Sequence, residues 1–193
     1  MTPMMTLEAV AHEARSCRAC ALAETRTTVV VGSGDPHARV VVVGEAPGAN
    51  EDRTGEPFVG RSGTLLDDLL AEVLDLKRSA VFVVNIVKCR PPENRDPRRT
   101  EIDACRHLLV AQIAAVAPDV IVTLGNVATR AVLETKDPIT SLRGTRQRSS
   151  LSSATVIPTF HPAAALRGGA TVRAAMVADL LVVRDLLEGV AQP

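Results

Sequence analysis

The spacing of the four cysteines is the feature of this sequence that most specifically indicates metal chemistry. Two form a C-x2-C pair and the other two are fifteen residues apart; the set is Cys17, Cys20, Cys89 and Cys105. Thiolates two residues apart can reach one centre, and both zinc and iron–sulfur clusters accept four thiolates. The second pair departs from the zinc-ribbon pattern, and disulfide frameworks are atypical inside cells. The spacing favours a metal or cluster over unligated thiols and leaves zinc and iron–sulfur both open.

Acidic residues cluster in the stretch GEAPGANED, residues 44–52. Carboxylates at Glu45, Glu51 and Asp52 could hold a water molecule or a metal ion. The stretch lacks the G-x-G-x-x-G spacing of a dinucleotide-binding loop. A surface turn with solvated acids is the alternative interpretation.

Asn85 and His161 have side chains that could read or stabilise a ligand. The Asn85 amide offers a donor and an acceptor side by side, which matches an imide edge such as that of a pyrimidine base. His161 lies between a β-branched run and Pro162, so it is held rigidly and could donate to a developing anion. Each residue alone is also consistent with a structural role in a turn or core.

Alternating strands and helices must position these residues. Strands are predicted for 39–43, 81–84, 119–124 and 155–158; helices for 7–15, 65–74, 98–117, 126–133 and 172–187; and Gly- and Pro-rich loops for 44–63 and 88–97. This alternation predicts an α/β fold with a parallel sheet covered by helices on both faces. Ligands of such sheets bind outside the carboxyl ends of the strands. Since Gly44–Glu45, Asn85, Gly125–Asn126 and His161 all follow predicted strands, we expect them to meet at one crevice.

Composition and charge exclude several classes of protein. The 193 residues, of which 46% are apolar, suffice for one domain with a sizeable core. The chain has no Trp or Tyr and three Phe, which excludes a platform stacking many bases but permits one base on one ring. A net charge of zero argues against a broadly basic coat. Residues 136–173 hold six basic residues against one acidic, which indicates either a polyanion-binding face or solvated surface.

The sequence shows no pattern typical of a membrane helix, a secretory signal or an interdomain linker. The sequence has no apolar run long enough for a membrane helix, and residues 1–15 lack the pattern of a secretory signal. No internal repeat or low-complexity linker divides the chain. We therefore expect an intracellular protein that forms one domain over residues 1–193.

Four motifs follow one another along the chain: GEAPG-x2-ED, GEPFVGRSG, N-x-VKCRPP-x-NR-x-P and PTFHPAAALR. In kind and order they resemble the motifs of the family 4 uracil-DNA glycosylases, the iron–sulfur members of the uracil-DNA glycosylase superfamily. The resemblance covers the chain from Cys17 to the final helix and includes the four cysteines. It implies a three-layer α/β/α sandwich with a central parallel sheet, in agreement with the alternation of elements.

The resemblance also implies a role for each matched residue. The four cysteines match the ligands of a structural 4Fe–4S cluster, with residues 1–25 forming an N-terminal segment that supplies two of them. Phe58 matches the ring that stacks on flipped uracil, Asn85 the amide that reads its edge, and His161 the histidine near uracil O2. The pocket floor corresponds to Glu45, Ala46, Pro47 and Gly48.

The same resemblance implies roles for three further residues. Glu51 matches an acidic residue that positions or activates water, so the implied catalytic set is Glu51, Asn85 and His161. Arg143 and Arg167 are implied phosphate contacts. Because position 46 is Ala, that position offers no side chain to activate water. The segment PPENRDPRR after Cys89 contains no histidine, which argues against covalent capture of the sugar.

The expected activity is that of a monofunctional DNA glycosylase. It would flip deoxyuridine from DNA and hydrolyse the N-glycosidic bond, which starts base excision repair. We expect a cytoplasmic, nucleoid-associated monomer that binds uracil-containing DNA and no membrane. The alternatives are a non-catalytic or redox iron–sulfur DNA-binding protein and a zinc-bound nucleotide-binding protein.

Overall fold

The computed structural model describes residues 5–189 and contains one six-stranded sheet. The strands are β1 (Ser33–Gly34), β2 (Val40–Gly44), β3 (Phe82–Asn85), β4 (Val120–Leu124), β5 (Gln147–Ser149) and β6 (Ser152–Thr159). The helices are α1 (Leu7–Ser16), α2 (Leu22–Thr25), α3 (Ala49–Thr54), α4 (Arg61–Leu74), α5 (Arg99–Val116), α6 (Gly125–Leu133), α7 (Ile139–Leu142) and α8 (Pro162–Leu187). The predicted domain, residues 1–193, extends past the described residues and stays a prediction.

The sheet has the strand order β1-β3-β2-β4-β6-β5. Its four inner strands are parallel, whereas β1 and β5 pair antiparallel at the two edges. The predicted α/β/α fold with a parallel centre is therefore confirmed, and the whole sheet is mixed. The edge strands were not predicted, because two or three residues without an apolar run leave no strand signal.

Helices cover both faces of the sheet because the inner strands are apolar on both sides. In β2, Val41 and Val43 pack into one core, whereas Val40 and Val42 pack into the other. The first core includes residues of α1, α5 and α6, and the second includes residues of α4 and α8. The result is the three-layer sandwich that the sequence predicts.

Helix α8 starts earlier than predicted. It begins at Pro162 instead of residue 172, with His161 as its N-cap. Gly169 interrupts it with a φ of 66° and a ψ of −152°. The first turns of α8 were not predicted, because the glycines at 168 and 169 are typical of helix ends.

The loops also contain structure that the sequence did not predict. The loop 44–63 contains α3, and α4 already begins at Arg61. The loop 88–97 contains one 3-10 turn, Pro92–Asn94. Strand β6 begins at Ser152 instead of residue 155, because its first residues form a hairpin with β5. No helix among the described residues is long and apolar enough to cross a membrane.

The carboxyl ends of the parallel strands lie along one edge of the sheet. Gly44 at the end of β2 pairs with Asn85 at the end of β3, and Leu124 of β4 pairs with Thr159 of β6. The segments that follow these strands, including His161, therefore begin at the same edge. This register positions the site.

Candidate active site

A cavity of about 720 Å³ opens at this edge of the sheet. Of the residues proposed for substrate binding, catalysis and DNA contact, it brings together Glu45, Ala46, Pro47, Gly48, Glu51, Phe58, Asn85, His161 and Arg167. Arg143 does not line it. The cavity also includes residues that the sequence analysis did not assign to the site, among them Arg61, Asn94 and Arg95. Arg61 belongs to the motif segment GRSG, and Asn94 and Arg95 belong to the segment NR. These motifs could have indicated that the three residues belong to the site.

Asn85 places an unpaired acceptor at the cavity. It is 2% exposed, and its Oδ1 has no hydrogen-bond partner among residues 5–189. The backbone of the same residue is held, since the buried Lys88 donates its Nζ–H to the Asn85 carbonyl at 2.6 Å. A buried polar atom without a partner costs about 1–3 kcal/mol. The site is therefore suited to a ligand that donates a hydrogen bond to Oδ1.

Phe58 and Asn85 meet above Gly44. A Cβ added at Gly44 would overlap Asn85 Oδ1 and lie 2.6 Å from Cζ of Phe58. The amide and the ring therefore both approach the backbone of Gly44 so closely that only glycine fits at this position. A flat ligand can lie against the ring of Phe58 while its edge faces the amide of Asn85.

The backbone of Phe58 is strained and firmly supported. Its φ is 56°, in the left-handed region that non-glycine residues seldom adopt. Arg78 donates to the Pro57 carbonyl at 2.6 Å, and the Val59 N–H donates to Glu51 Oε1 at 3.0 Å. Such strain persists where surrounding contacts fix the segment, and it is concentrated at functional sites.

Glu51 joins two loops of the cavity. Its Oε2 accepts from the Gly48 N–H at 3.1 Å, and its Oε1 accepts from the N–H groups of Val59 and Gly60 at 3.0 and 3.3 Å. A carboxylate has about four acceptor positions, so roughly one remains for water. Glu51 thus shapes the cavity, and its role toward water stays a prediction.

His161 is held as a neutral hydrogen-bond donor. Its Nδ1 accepts from the Ala163 N–H at 3.1 Å, so the ring proton is on Nε2. Burial lowers the pKa of His161 to about 4, helped by the charge of Arg167 and opposed by Glu51. The ring centroid lies 5.8 Å from that of Phe58. Near neutral pH, His161 can donate through Nε2 without carrying a charge.

Glu45, directly after β2, titrates near neutrality. Burial raises the pKa of its carboxyl to about 7, and the neighbouring carboxyl of Asp96 adds to the rise. The cavity therefore contains an acid whose charge changes near pH 7. That property suits proton transfer or water orientation at a reacting bond.

The two arginines proposed as phosphate contacts have different positions. Arg167 is exposed and lines the cavity. Arg143 donates to the buried carboxylate of Asp179 and to the Ala175 carbonyl, and its guanidinium lies over the ring of Phe160. Its donors therefore face the interior of the protein.

The four cysteines line a second recess, together with Arg26 and Lys88. Arg26 donates to Cys89 Sγ at 3.2 Å, and Lys88 is 1% exposed. Burial raises the pKa of the Cys89 and Cys105 thiols. In the part of the chain that the structure describes, no Cys, His or acidic side chains form a group placed to hold one metal ion. Four soft sulfur donors beside two cations nevertheless fit an anionic cluster of thiolate-bound iron.

Comparison with known proteins gives concordant matches. The family model of the uracil DNA glycosylase superfamily matches residues 31–181. A type-4 uracil-DNA glycosylase of Sulfurisphaera tokodaii is 43% identical over 189 residues, which cover 95% of this chain and 86% of the relative.

Two further relatives are similar over shorter ranges. A type-4 uracil-DNA glycosylase of Thermotoga maritima is 48% identical over 162 residues, 83% of each chain. A type-5 uracil-DNA glycosylase of Thermus thermophilus is 37% identical over 119 residues, 54% of this chain and 53% of the relative. With its fold, its motifs in order and the family match over most of its length, this chain belongs to the uracil DNA glycosylase superfamily.

Proposed function

We propose that this chain excises uracil from DNA by hydrolysing the N-glycosidic bond of deoxyuridine. The observation that carries the proposal is the unpaired Oδ1 of Asn85 beside the ring of Phe58. The names of the type-4 relatives support it, since they cover most of the chain. Nothing in the comparisons supports the non-catalytic or redox alternative.

Recognition follows from the edges of the base. Uracil carries an N–H at N3 and a carbonyl at O4, and these pair with Oδ1 and the amide N–H of Asn85. Cytosine presents the reverse pattern. The base must leave the helix to reach the cavity, and stacking on Phe58 stabilises the flipped base. We also propose that the wall of the cavity beside Asn85 and Phe58 excludes the 5-methyl group of thymine.

Bond cleavage places negative charge on the leaving uracil and positive charge on the sugar. The Nε2–H of His161 donates to uracil O2, and one such donor contributes about 3 kcal/mol to transition-state stabilisation. A water molecule then adds at C1′ and loses one proton, which neutralises the departing uracil anion. Glu51 orients that water and, with Glu45, offsets the cationic sugar. Backbone groups of Ala46, Pro47 and Gly48 line the floor, where Ala46 has no side chain for water activation.

We further propose that Cys17, Cys20, Cys89 and Cys105 hold a 4Fe–4S cluster. Such a cluster would supply a rigid link between the N-terminal segment and the loop after Asn85. Arg167 at the cavity is proposed as a phosphate contact, whereas the same role for Arg143 stays a prediction of the sequence. We expect a monomer that acts in the cytoplasm on nucleoid DNA.

One denaturing gel tests the proposed activity. A labelled oligonucleotide with a single deoxyuridine is incubated with the protein in EDTA and analysed with and without hot alkali, beside a thymine control. The expected result is an alkali-dependent break in the uracil strand alone. A uracil strand that stays intact after alkali would contradict the proposal and favour the non-catalytic alternative.

A further inference from the structure

A partly buried ion pair, Arg143–Asp179, lies outside the cavity that contains His161. Arg143 donates from Nη2 to Asp179 Oδ1 at 2.7 Å and from Nε to Oδ2 at 3.2 Å. The Asp179 side chain is 3% exposed and that of Arg143 is 26% exposed. A two-point arginine–carboxylate contact of this kind fixes the relative orientation of its partners. The proposed chemistry uses neither residue.

The same carboxylate holds the end of β6. Thr159, the last residue of that strand, is fully buried and donates its Oγ1–H to Asp179 Oδ2 at 2.6 Å. The N–H of Gly144, next to Arg143, donates to the Pro158 carbonyl at 2.9 Å. Two residues of the segment that leads to His161 are thus bound to the Arg143–Asp179 unit.

Phe160 is the third residue held by this unit. The guanidinium carbon of Arg143 lies 5.3 Å from the centre of the Phe160 ring, and Nη2 also donates to the Ala175 carbonyl at 2.6 Å. All three residues that precede His161 therefore contact Arg143, Gly144 or Asp179. The contacts come from the body of α8 and from the segment after α7.

The break in α8 explains why such support is needed. His161 caps a first segment of α8 that ends at Gly169, whose backbone is not helical. A Cβ added at Gly169 would meet no atom of another described segment within 4 Å, so open space lies beside this break. Asp179 lies beyond it, on the body of the helix. The hydrogen bond from Thr159 to Asp179 connects that body to His161 through β6.

We propose that Arg143, Asp179 and Thr159 form a clamp that sets the position of the His161 imidazole. The inference rests on the proposed function of His161 as the donor to uracil O2. Arg143 is then a positioning residue instead of a phosphate contact. Misplacement of a catalytic group by about 1 Å can slow a reaction about 100-fold. Because His161 acts in bond cleavage, loss of the clamp should slow that step.

The test separates cleavage from DNA binding. Arg143→Gln, Asp179→Asn and Thr159→Val are compared in single-turnover cleavage at saturating protein, and in affinity for a non-cleavable 2′-fluoro-deoxyuridine duplex at several salt concentrations. We expect cleavage to slow about 10- to 100-fold in each, with affinity and its salt dependence unchanged. Thr159→Ser retains the hydroxyl and should restore cleavage. Arg148→Gln, an exposed arginine of the same basic segment, is the matched control and should leave both quantities unchanged.

Two results would overturn the clamp. One is an Arg143→Gln variant with a normal rate at saturation but weaker, less salt-dependent binding, as a phosphate contact requires. The other is an equal loss from Thr159→Val in wild-type and His161→Ala backgrounds, since a clamp acting through His161 has nothing left to position there.

A spectroscopic readout keeps the clamp testable apart from activity. The imidazole ¹⁵N resonances of His161 report its tautomer and hydrogen bond, and we expect them to shift or broaden in Thr159→Val but not in Arg148→Gln. Unchanged resonances in Thr159→Val would contradict the clamp. A wild-type protein that fails to cleave the uracil strand would instead contradict the proposed function, while the resonances still decide the clamp.

Discussion

Asn85 and His161 are prepared for a ligand in opposite ways. Asn85 keeps an acceptor without a partner, whereas His161 uses one nitrogen on the backbone and so leaves the other as a donor. Each arrangement carries an energetic cost in the free protein, through desolvation of an unpaired atom or burial of an imidazole. In the proposed function, a base that pairs with both groups offsets that cost, which favours uracil over bases that cannot pair with them.

We predict that Asn85→Asp weakens selectivity for uracil over cytosine. The carboxylate replaces the donor that faces O4 with an acceptor, which suits the amino group of cytosine. Uracil excision should fall about 10- to 100-fold, equivalent to ~1–3 kcal/mol for a two-point contact to a base. Excision assays on uracil and cytosine strands measure both effects. The control Asn50→Asp adds the same charge at an exposed position of the cavity, and equal selectivity of the two variants would remove Asn85 from base recognition.

The two perturbed groups predict opposite effects of pH on stability. Glu45 has a folded pKa of about 7, above its usual 4.5, so its effect on stability falls as pH rises from 4.5 to 7. His161 has a folded pKa of about 4, below its usual 6.5, so its effect on stability rises from pH 4 to 6.5. As pH rises across these ranges, the melting temperature of Glu45→Gln should increase relative to that of the wild-type protein. The melting temperature of His161→Asn should decrease relative to it. Parallel curves for all three proteins would contradict both shifts.

Helix α3 and Lys88 connect the cysteine recess to the cavity. Asp52 of α3 is 4% exposed and accepts from the N–H groups of Thr27 and Thr28 at 2.9 to 3.3 Å. Its neighbour Glu51 binds the loops around Gly48 and Val59. Helix α3 therefore joins the segment after Cys17 and Cys20 to the cavity. Lys88 makes a second link, because it lines the recess and binds the Asn85 carbonyl.

We predict that Asp52→Ala loosens both sites. Removing the carboxylate leaves two partly buried N–H groups without a partner, at about 1–3 kcal/mol for each such group. The melting temperature should fall, and a chelator should bleach the visible absorbance of the iron-loaded protein faster. Asp103→Ala, which breaks an exposed ion pair with Arg99 on α5, is the control and should cost only ~0.3–0.5 kcal/mol. Bleaching at the wild-type rate in Asp52→Ala would show that α3 does not support the recess.

Three of the six basic residues in segment 136–173 are ion-paired or hydrogen-bonded within the molecule. Arg143 pairs with Asp179, Arg173 pairs with Glu72, and Arg148 donates to the Ser153 carbonyl. The cations that line the cavity are Arg61, Arg95 and Arg167, of which Arg95 also binds the buried Glu101. The positive charge that a polyanion would meet at the cavity therefore comes from these three arginines.

We predict that DNA binding depends only weakly on salt. With about two or three phosphates neutralised, the slope of log affinity against log salt should be roughly −2 to −3. Fluorescence anisotropy with the 2′-fluoro-deoxyuridine duplex measures this slope, and Arg167→Gln should reduce its magnitude by about one. A slope near −6 would instead require a wide basic surface.

The sequence by itself determined the layer order and the residues that could do chemistry. Apolar β-branched runs such as 40–43 specify buried parallel strands, and polar residues directly after them must appear at the carboxyl edge. The motifs that contain Phe58, Asn85 and His161 occur in the same order as in the family that the sequence resembles. These features depend on local pattern and chain direction, which a sequence contains.

Only the tertiary structure decided which polar groups are engaged and which remain available. Glu51 is largely occupied by three backbone N–H groups, and Arg143 by Asp179, whereas Asn85 Oδ1 has no partner in the described residues. Edge strand β1 likewise depends on pairing with β3, which lies far from it in the sequence. Hydrogen-bond partners far apart in sequence leave no periodic signal, so the roles of these residues become visible only once the chain is folded.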